Sequence, residues 1–366
     1  MTASATATTP SASPARRPKR NLLSDGQNLL ATILVSPTML VIALVVGFPI
    51  LFSVRESLFA SSSGVDPTTG VLQSGEHFAG LSNFTDIFSN PTLVVGVWGS
   101  MDRLVNAFIN TTFFTVVCVV AETIIGVAMA VIMSKAFRGR GLVRAAILVP
   151  WAIPTIVSAK MWALIFDANG VANKLLGQNI LWLADNSYSQ WAVIVADVWK
   201  TAPFIGLLTL AGLQTIPDEV YEAARVDGAS GWQQFTRITL PLVQPALVVA
   251  VLFRTLDTMR MFDLPFGMIG PGKYSVETLS MFAYFENNAL RYGPAAAYSI
   301  VLFLYIVLVA FLFVKLLGAD VVGDPEAKAM AEARKRRKVA ARQAKAEGRP
   351  VPKPVRSTIT SGDSPS

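Results

Sequence analysis

Cysteine and histidine are almost missing: Cys118 and His77 are the only ones in 366 residues. A single thiol excludes an internal disulfide framework and a cysteine-based zinc site. A single imidazole leaves little room for histidine-dependent chemistry. Charge is scarce as well. Asp, Glu, Lys and Arg make up 15% of the chain, where a soluble domain carries about 25%. With 52% hydrophobic residues and a mean hydropathy of +0.50, that deficit is membrane composition. A nucleotide site is missing too. Gly267-Met-Ile-Gly-Pro-Gly272-Lys273-Tyr274 comes near a phosphate-binding loop. Tyr274, however, stands where a Mg²⁺-binding Ser or Thr is needed. Energy for any work must come from a partner or an ion gradient.

Long apolar runs are present, at 29–54, 110–134, 145–166, 190–212, 244–265 and 294–317. Each is near the ~20 residues that cross a ~30 Å hydrocarbon core. The expected fold is an all-α membrane protein with six transmembrane helices. The first run could be a cleavable signal, but it is too long and no small-x-small site follows, so a spanning anchor is preferred. Pro150 and Pro154 fall inside the third run and should kink it. The connection 135–144 carries Lys135, Arg138, Arg140 and Arg144, while those at 55–109, 167–189 and 267–293 are sparse in Lys and Arg. That bias places both termini and the 217–241 loop in the cytosol. The expected divisions are a disordered basic tail (1–28), a transmembrane domain (29–317) and a second basic tail (318–366). The second tail contains Arg334-Lys-Arg-Arg-Lys338. It reads as a solvated helix that enforces topology and touches anionic membrane lipids. Without aromatic interleaving, nucleic acid is not an expected partner.

The polar segment 217–241 stands apart. Pro217 suits a first helical turn, with Asp218 and Glu219 at the positive helix end. Ala223 and Ala224 favour helix, and Gly228 is a natural break. Ser230 followed by Gln233 is a capping-box pattern that restarts a short helix, and Pro241 and Pro245 close the unit and open the next span. Glu222-Ala223-Ala224, three residues, Gly228, nine residues, then Ile238-x-Leu240-Pro241 resembles the EAA loop of ATP-binding-cassette importer permeases. Phe78-Ala-Gly-Leu-Ser-Asn-Phe84 and the stretch 135–150 also resemble that family.

Two of the apolar runs carry charge, which costs about 2.5–3.5 kcal/mol per group at mid-bilayer and so marks functional candidates. Asp197, Lys200, Thr201 and Phe204 are spaced i, i+3, i+4, i+7, as are Arg254, Asp257, Thr258 and Met261. Each set lies on one helical face. Glu122 and Lys160 are further possible members. Paired charges with hydroxyls can bind a neutral polyol, whose hydroxyls both donate and accept. The alternative is a salt-bridge network that only joins helices. The segment 190–300 is similar to the first permease subunit of maltose and trehalose importers. That resemblance places sugar contacts at Lys200, Thr201, Phe204, Arg254, Asp257, Thr258 and Met261, with Asp197 beside them.

What the resemblance implies is a type I importer permease in the plasma (inner) membrane, moving an α-linked disaccharide by alternating access. Trehalose is the first expectation and maltose the second; another sugar or glycerol phosphate remains open. The implied partners are a second permease subunit, two ATPase subunits and an extracellular sugar-binding lipoprotein. ATP and Mg²⁺ would sit on the ATPases, with no cofactor and no catalytic residue on this chain. Tyr221, Glu222, Ala223, Ala224, Asp227, Gly228 and Pro241 would form the ATPase-coupling knuckle. An ion-driven transporter is the rival from another class, and the 217–241 loop has no purpose in it.

Overall fold

A computed structural model describes residues 22–65, 72–89 and 92–318. Most of the first tail and all of the second beyond residue 318, including the basic run at 334–338, lie outside the described residues. The chain divides at Glu56 into two units. The described residues of the first are helical throughout. Helix α1 (Leu22–Ile42) passes through a π-helical turn (Ala43–Gly47) into α2 (Phe48–Ser57). Residues 22–28, expected as tail, are therefore helical.

The second unit starts at Ser57. Its opening segment, expected as loop, holds two small antiparallel pairs. Strand β1 (Phe59–Val65) pairs with β2 (Leu72–Phe78), and β3 (Leu93–Gly96) with β4 (Gly99–Asp102). Between them lies α3 (Ser82–Ser89). Asn83 of the Gly-Leu-Ser-Asn-Phe element explains the local order. It is buried, and its Nδ2 donates to the carbonyls of Ser57 (2.9 Å) and Phe59 (2.8 Å).

The helical body follows. Asp102 caps α4 (Arg103–Ser134) by accepting from the amides of Leu104 and Val105. Next come α5 (Arg140–Ala152), α6 (Thr155–Ile165) and the short α7 (Val171–Leu176). Asp185 caps α8 (Asn186–Leu213) in the same way as Asp102 caps α4. Then follow α9 (Asp218–Val226), α10 (Gly231–Gln234), α11 (Leu240–Met259), α12 (Asp263–Ile269), α13 (Leu279–Asn288) and α14 (Tyr292–Phe313).

Among the described residues five helices are long and apolar enough to cross a membrane. The pair α5–α6, bent by 94°, is a sixth when counted as one broken span. The expected kink is therefore a break. Pro150 is tolerated inside α5, but Ile153 and Pro154 are both extended, because a residue before proline is driven out of the helical region.

Helices α4 and α8 approach closely through small residues. A Cβ built on Gly126 would lie 2.8 Å from Ile205 Cβ and 2.9 Å from the Ala202 carbonyl. Gly206 faces the Gly126 carbonyl across the same seam. Such contacts let backbones pack where water supplies no driving force between helices. At the α4 start the residues at the end of the near-P-loop segment and just after it are held by side chains from α4 and α8. Asn110 donates to the carbonyls of Tyr274 (2.8 Å) and Glu277 (3.0 Å), and Gln190 to that of Ser275 (2.9 Å). Burial raises the Glu277 carboxyl above its ordinary pKa, while the guanidinium of Arg103 at 2.6 Å pulls it back.

The α4–α8 seam makes Gly126→Ala a sharp probe. It is expected to lower the melting temperature in detergent by several degrees, an overpacking cost of about 1–3 kcal/mol. Gly141→Ala, where a Cβ meets nothing within 4 Å, should leave it unchanged or raise it slightly. Equal behaviour of the two variants would show that the seam is not tightly packed.

Candidate functional site

Arg254 is the centre of the site. It projects from α11 into the gap between α4 and α8, almost wholly buried. Its Nε donates to Glu122 Oε2 (2.6 Å) and its Nη2 to Glu122 Oε1 (3.0 Å). Nη2 also donates to Asp197, and Nη1 donates to Asp257 Oδ2 (2.7 Å). The planar fork of a guanidinium suits such multiple pairing. Thr201 Oγ1 lies 2.7 Å from Glu122 Oε1. Glu122 is thus a full member of the cluster. Lys160 is not: it is exposed on α6.

These groups line a cavity of about 370 Å³. Of the residues singled out in the sequence, Asp197, Lys200, Thr201, Arg254, Asp257, Thr258 and Met261 all reach it. Phe204 lines an adjoining cavity of about 240 Å³, which shares Thr201, Arg254 and Asp257 with the first. Met261 arrives by a different route from the one its spacing suggested. Helix α11 ends at Met259, and Met261 lies in the turn that follows. That turn carries Arg260 and Phe262 into the lining as well, and Asp263 enters from the first position of α12. Helical periodicity could not find them, because the helix has stopped. Trp151 was missed for a similar reason: it borders the break after α5, and pairs with Phe204 at 6.1 Å between ring centroids.

The lining is balanced in charge. Asp197, Asp257 and Asp263 face Lys200, Arg254 and Arg260, with Glu122 behind. The Cys118 thiol and the Glu122 and Asp197 carboxylates lie close enough to share an ion, their ligand atoms within 4.8 Å of one another. The guanidinium of Arg254 already takes those carboxylates, so a cation's place is filled.

The 217–241 segment forms a knuckle. Helix α9 ends in a Schellman turn: Ala229 N–H donates to the Ala224 carbonyl (2.9 Å) and Gly228 N–H to that of Arg225 (3.1 Å). Gly228 has φ +78°, as that turn requires. The Ser230–Gln233 capping box is present. Tyr221 OH meets Thr239 Oγ1 at 3.1 Å and ties the two arms together. Ala224 is buried against the chain, while Glu222, Ala223, Val226, Asp227 and Gly228 face outward. Pro241 stands in the first turn of α11, as expected of a residue that opens the next span, but no break separates that span from the knuckle. A π-helical turn (Phe235–Thr239) joins α10 to α11, so Gly231–Met259 is one helical run. The wider turn moves the ladder by one residue and accommodates a proline that has no N–H to give.

Residues 122–322 match the family described as binding-protein-dependent transport system inner membrane component. The trehalose/maltose transport system permease protein MalF of Thermococcus litoralis is 41% identical over 211 residues, 56% of this chain and 72% of that one. The trehalose transport system permease protein SugA of Mycobacterium tuberculosis is 34% identical over 297 residues, covering 80% and 90%. The sulfoquinovosyl glycerol transport system permease protein SmoG of Agrobacterium fabrum is 32% identical over 292 residues, covering 77% and 88%. A crystal structure of a bacterial ATP-binding-cassette transporter for the acidic polysaccharide alginate shares the fold, with TM-score 0.67 at 19% identity, over 82% of this chain and 99% of that chain.

Removing Arg254 leaves Glu122 and Asp197 as unpaired buried carboxylates, a cost of about 3–5 kcal/mol. Arg254→Met should therefore sharply reduce the amount of folded protein in membranes. Adding Glu122→Gln and Asp197→Asn to it should restore much of that amount. If the single variant accumulates normally, the cluster does not carry the packing assigned to it.

Proposed function

The chain belongs to the binding-protein-dependent transport system inner membrane components, as the permease of a sugar-importing ATP-binding-cassette system, and we propose that its substrate is a neutral α-linked disaccharide, trehalose first and maltose second. The charge balance of the cavity carries this reading. Three acids and three bases border it, so it offers donors and acceptors in equal measure, which suits sugar hydroxyls. A phosphate or sulfonate gains from excess positive charge, and Arg254 already gives four of its five N–H donors to carboxylates, leaving one for a hydroxyl. Trp151 and Phe204 supply an apolar wall for a sugar ring face. The names of the Thermococcus and Mycobacterium relatives agree. That of the Agrobacterium relative, a sulfoquinovosyl glycerol transport system permease, marks the alternative; glycerol phosphate is another.

Lys200, Thr201, Arg254, Asp257 and Thr258 hold the hydroxyls, with Asp197 fixing Arg254, and Phe204 and Met261 giving apolar contact. A second permease subunit completes the pathway. Two ATPase subunits bind ATP and Mg²⁺, and an extracellular binding lipoprotein delivers the sugar. Both termini and the knuckle lie in the cytosol. There Glu222, Ala223, Asp227 and Gly228 meet an ATPase, and Tyr221, Ala224 and Pro241 hold that surface in shape. ATP-driven closure of the ATPases pushes on the knuckle, and the site alternates between the two sides.

Uptake of labelled trehalose and maltose, in cells with and without this gene, tests the substrate. Loss of trehalose uptake, blocked by excess maltose but not by glycerol phosphate, is the expected result. Retained uptake of both sugars removes the disaccharide assignment.

Gly228→Asp tests the coupling. A Cβ there meets nothing within 4 Å of this chain, and the left-handed backbone costs about 1–2 kcal/mol. The variant should insert normally and hydrolyse ATP without transport. Normal uptake would remove the coupling role.

A further inference from the structure

The break between α5 and α6 leaves a main-chain carbonyl without its helical donor. In a continuous helix the Ile153 carbonyl would receive the Val157 N–H. Here Val157 N–H turns instead to the Pro154 carbonyl (3.0 Å), which also receives Ser158 N–H (3.1 Å). An orphaned carbonyl within a membrane-spanning segment costs several kcal/mol unless another donor reaches it. The donor that reaches Ile153 is the ammonium of Lys200, at 2.7 Å.

Lys200 is also a wall of the cavity. It is buried, and stands one helical turn from Asp197 on α8, yet among the described residues no carboxylate lies within ion-pair distance of it. Its hydrogen bond goes to the hinge carbonyl. An ammonium has three protons, so two are left for whatever occupies the cavity. Trp151, two residues before that carbonyl, lines the same cavity.

We propose that Lys200 is a positioning residue for the hinge: its ammonium holds the third span in its broken form and joins that bend directly to the sugar cavity. The substrate side of this inference rests on the disaccharide reading; the hinge side does not. A sugar that draws on the ammonium weakens its hold on Ile153, so occupancy of the cavity is felt at the bend. Methionine at 200 keeps the length and apolar stem of lysine but offers no donor. Arginine keeps the donor. Pro154→Ala removes the cause of the break, lets Val157 serve Ile153, and makes the lysine dispensable for the bend.

The test is a distance across the break, measured on the full chain assembled with the subunits that co-purify with it. Leu142→Cys on α5 and Leu164→Cys on α6 are 78% and 74% exposed sites for spin labels, while Cys118 is fully buried and escapes labelling. Without ligand, Lys200→Met should shift the distance distribution to longer, straighter values, and Lys200→Arg should stay near the parent. In a Pro154→Ala background Lys200→Met should have little further effect. An unchanged distribution in Lys200→Met, or an equal shift in both backgrounds, overturns the proposal. These measurements use no sugar. A chain that fails to import trehalose but shows the expected shifts removes the substrate and keeps the latch. A chain that imports trehalose with an unmoved Lys200→Met hinge removes the latch and keeps the substrate.

Discussion

A guanidinium buried between three helices cannot stand alone, and Arg254 does not. Glu122 on α4, Asp197 on α8 and Asp257 on its own helix take four of its five N–H donors in different directions. The buried carboxylates of Glu122 and Asp197 would be costly without that partner. The cluster therefore sets which faces of α4, α8 and α11 turn inward. The glycine seam of Gly126 and Gly206 sets how near α4 and α8 can come. Apolar packing alone would permit many rotations of three apolar helices; a shared charge permits few.

The same cluster explains why the cavity is polar but nearly neutral. Its lining holds as many acids as bases, so what faces the open space is a set of hydrogen-bonding groups with no surplus of either sign. Helix α11 connects this space to the knuckle without a joint. From Gly231 to Met259 the chain is one helical run, with the capping box at its start and Arg254 near its end. In the proposed mechanism a push on the outward face of α9 reaches Arg254 and Asp257 through a single rigid element. On the other side of the cavity, Lys200 reaches the broken third span. Both moving parts thus end at the same few side chains.

Much of this was legible in residue order. The six apolar runs, the Gly228 elbow, the Ser230–Gln233 box and the paired polar faces of α8 and α11 all follow from local rules of period, capping and φ. Local rules failed where helices stop. Arg260 and Phe262 enter the cavity from a turn, Met261 with them, Asp263 enters from the first position of α12, and Trp151 enters beside a break. No period applies to such positions. Pro154 announced an irregularity but not its size, and Pro241, an equally strong signal, produced no break at all because a π turn absorbed it.

The sequence by itself determined the membrane class, the number of apolar runs and the form of the knuckle, because composition, hydropathy and helix capping act within one stretch of chain. Tertiary structure alone decided that Glu122 joins the cluster and Lys160 does not, since both are single charges in apolar runs. It also decided that Lys200 serves a carbonyl rather than the nearby Asp197. Those outcomes depend on which helix faces which across a few ångströms. Close packing of α4, α8 and α11 settles that, and no local pattern encodes it.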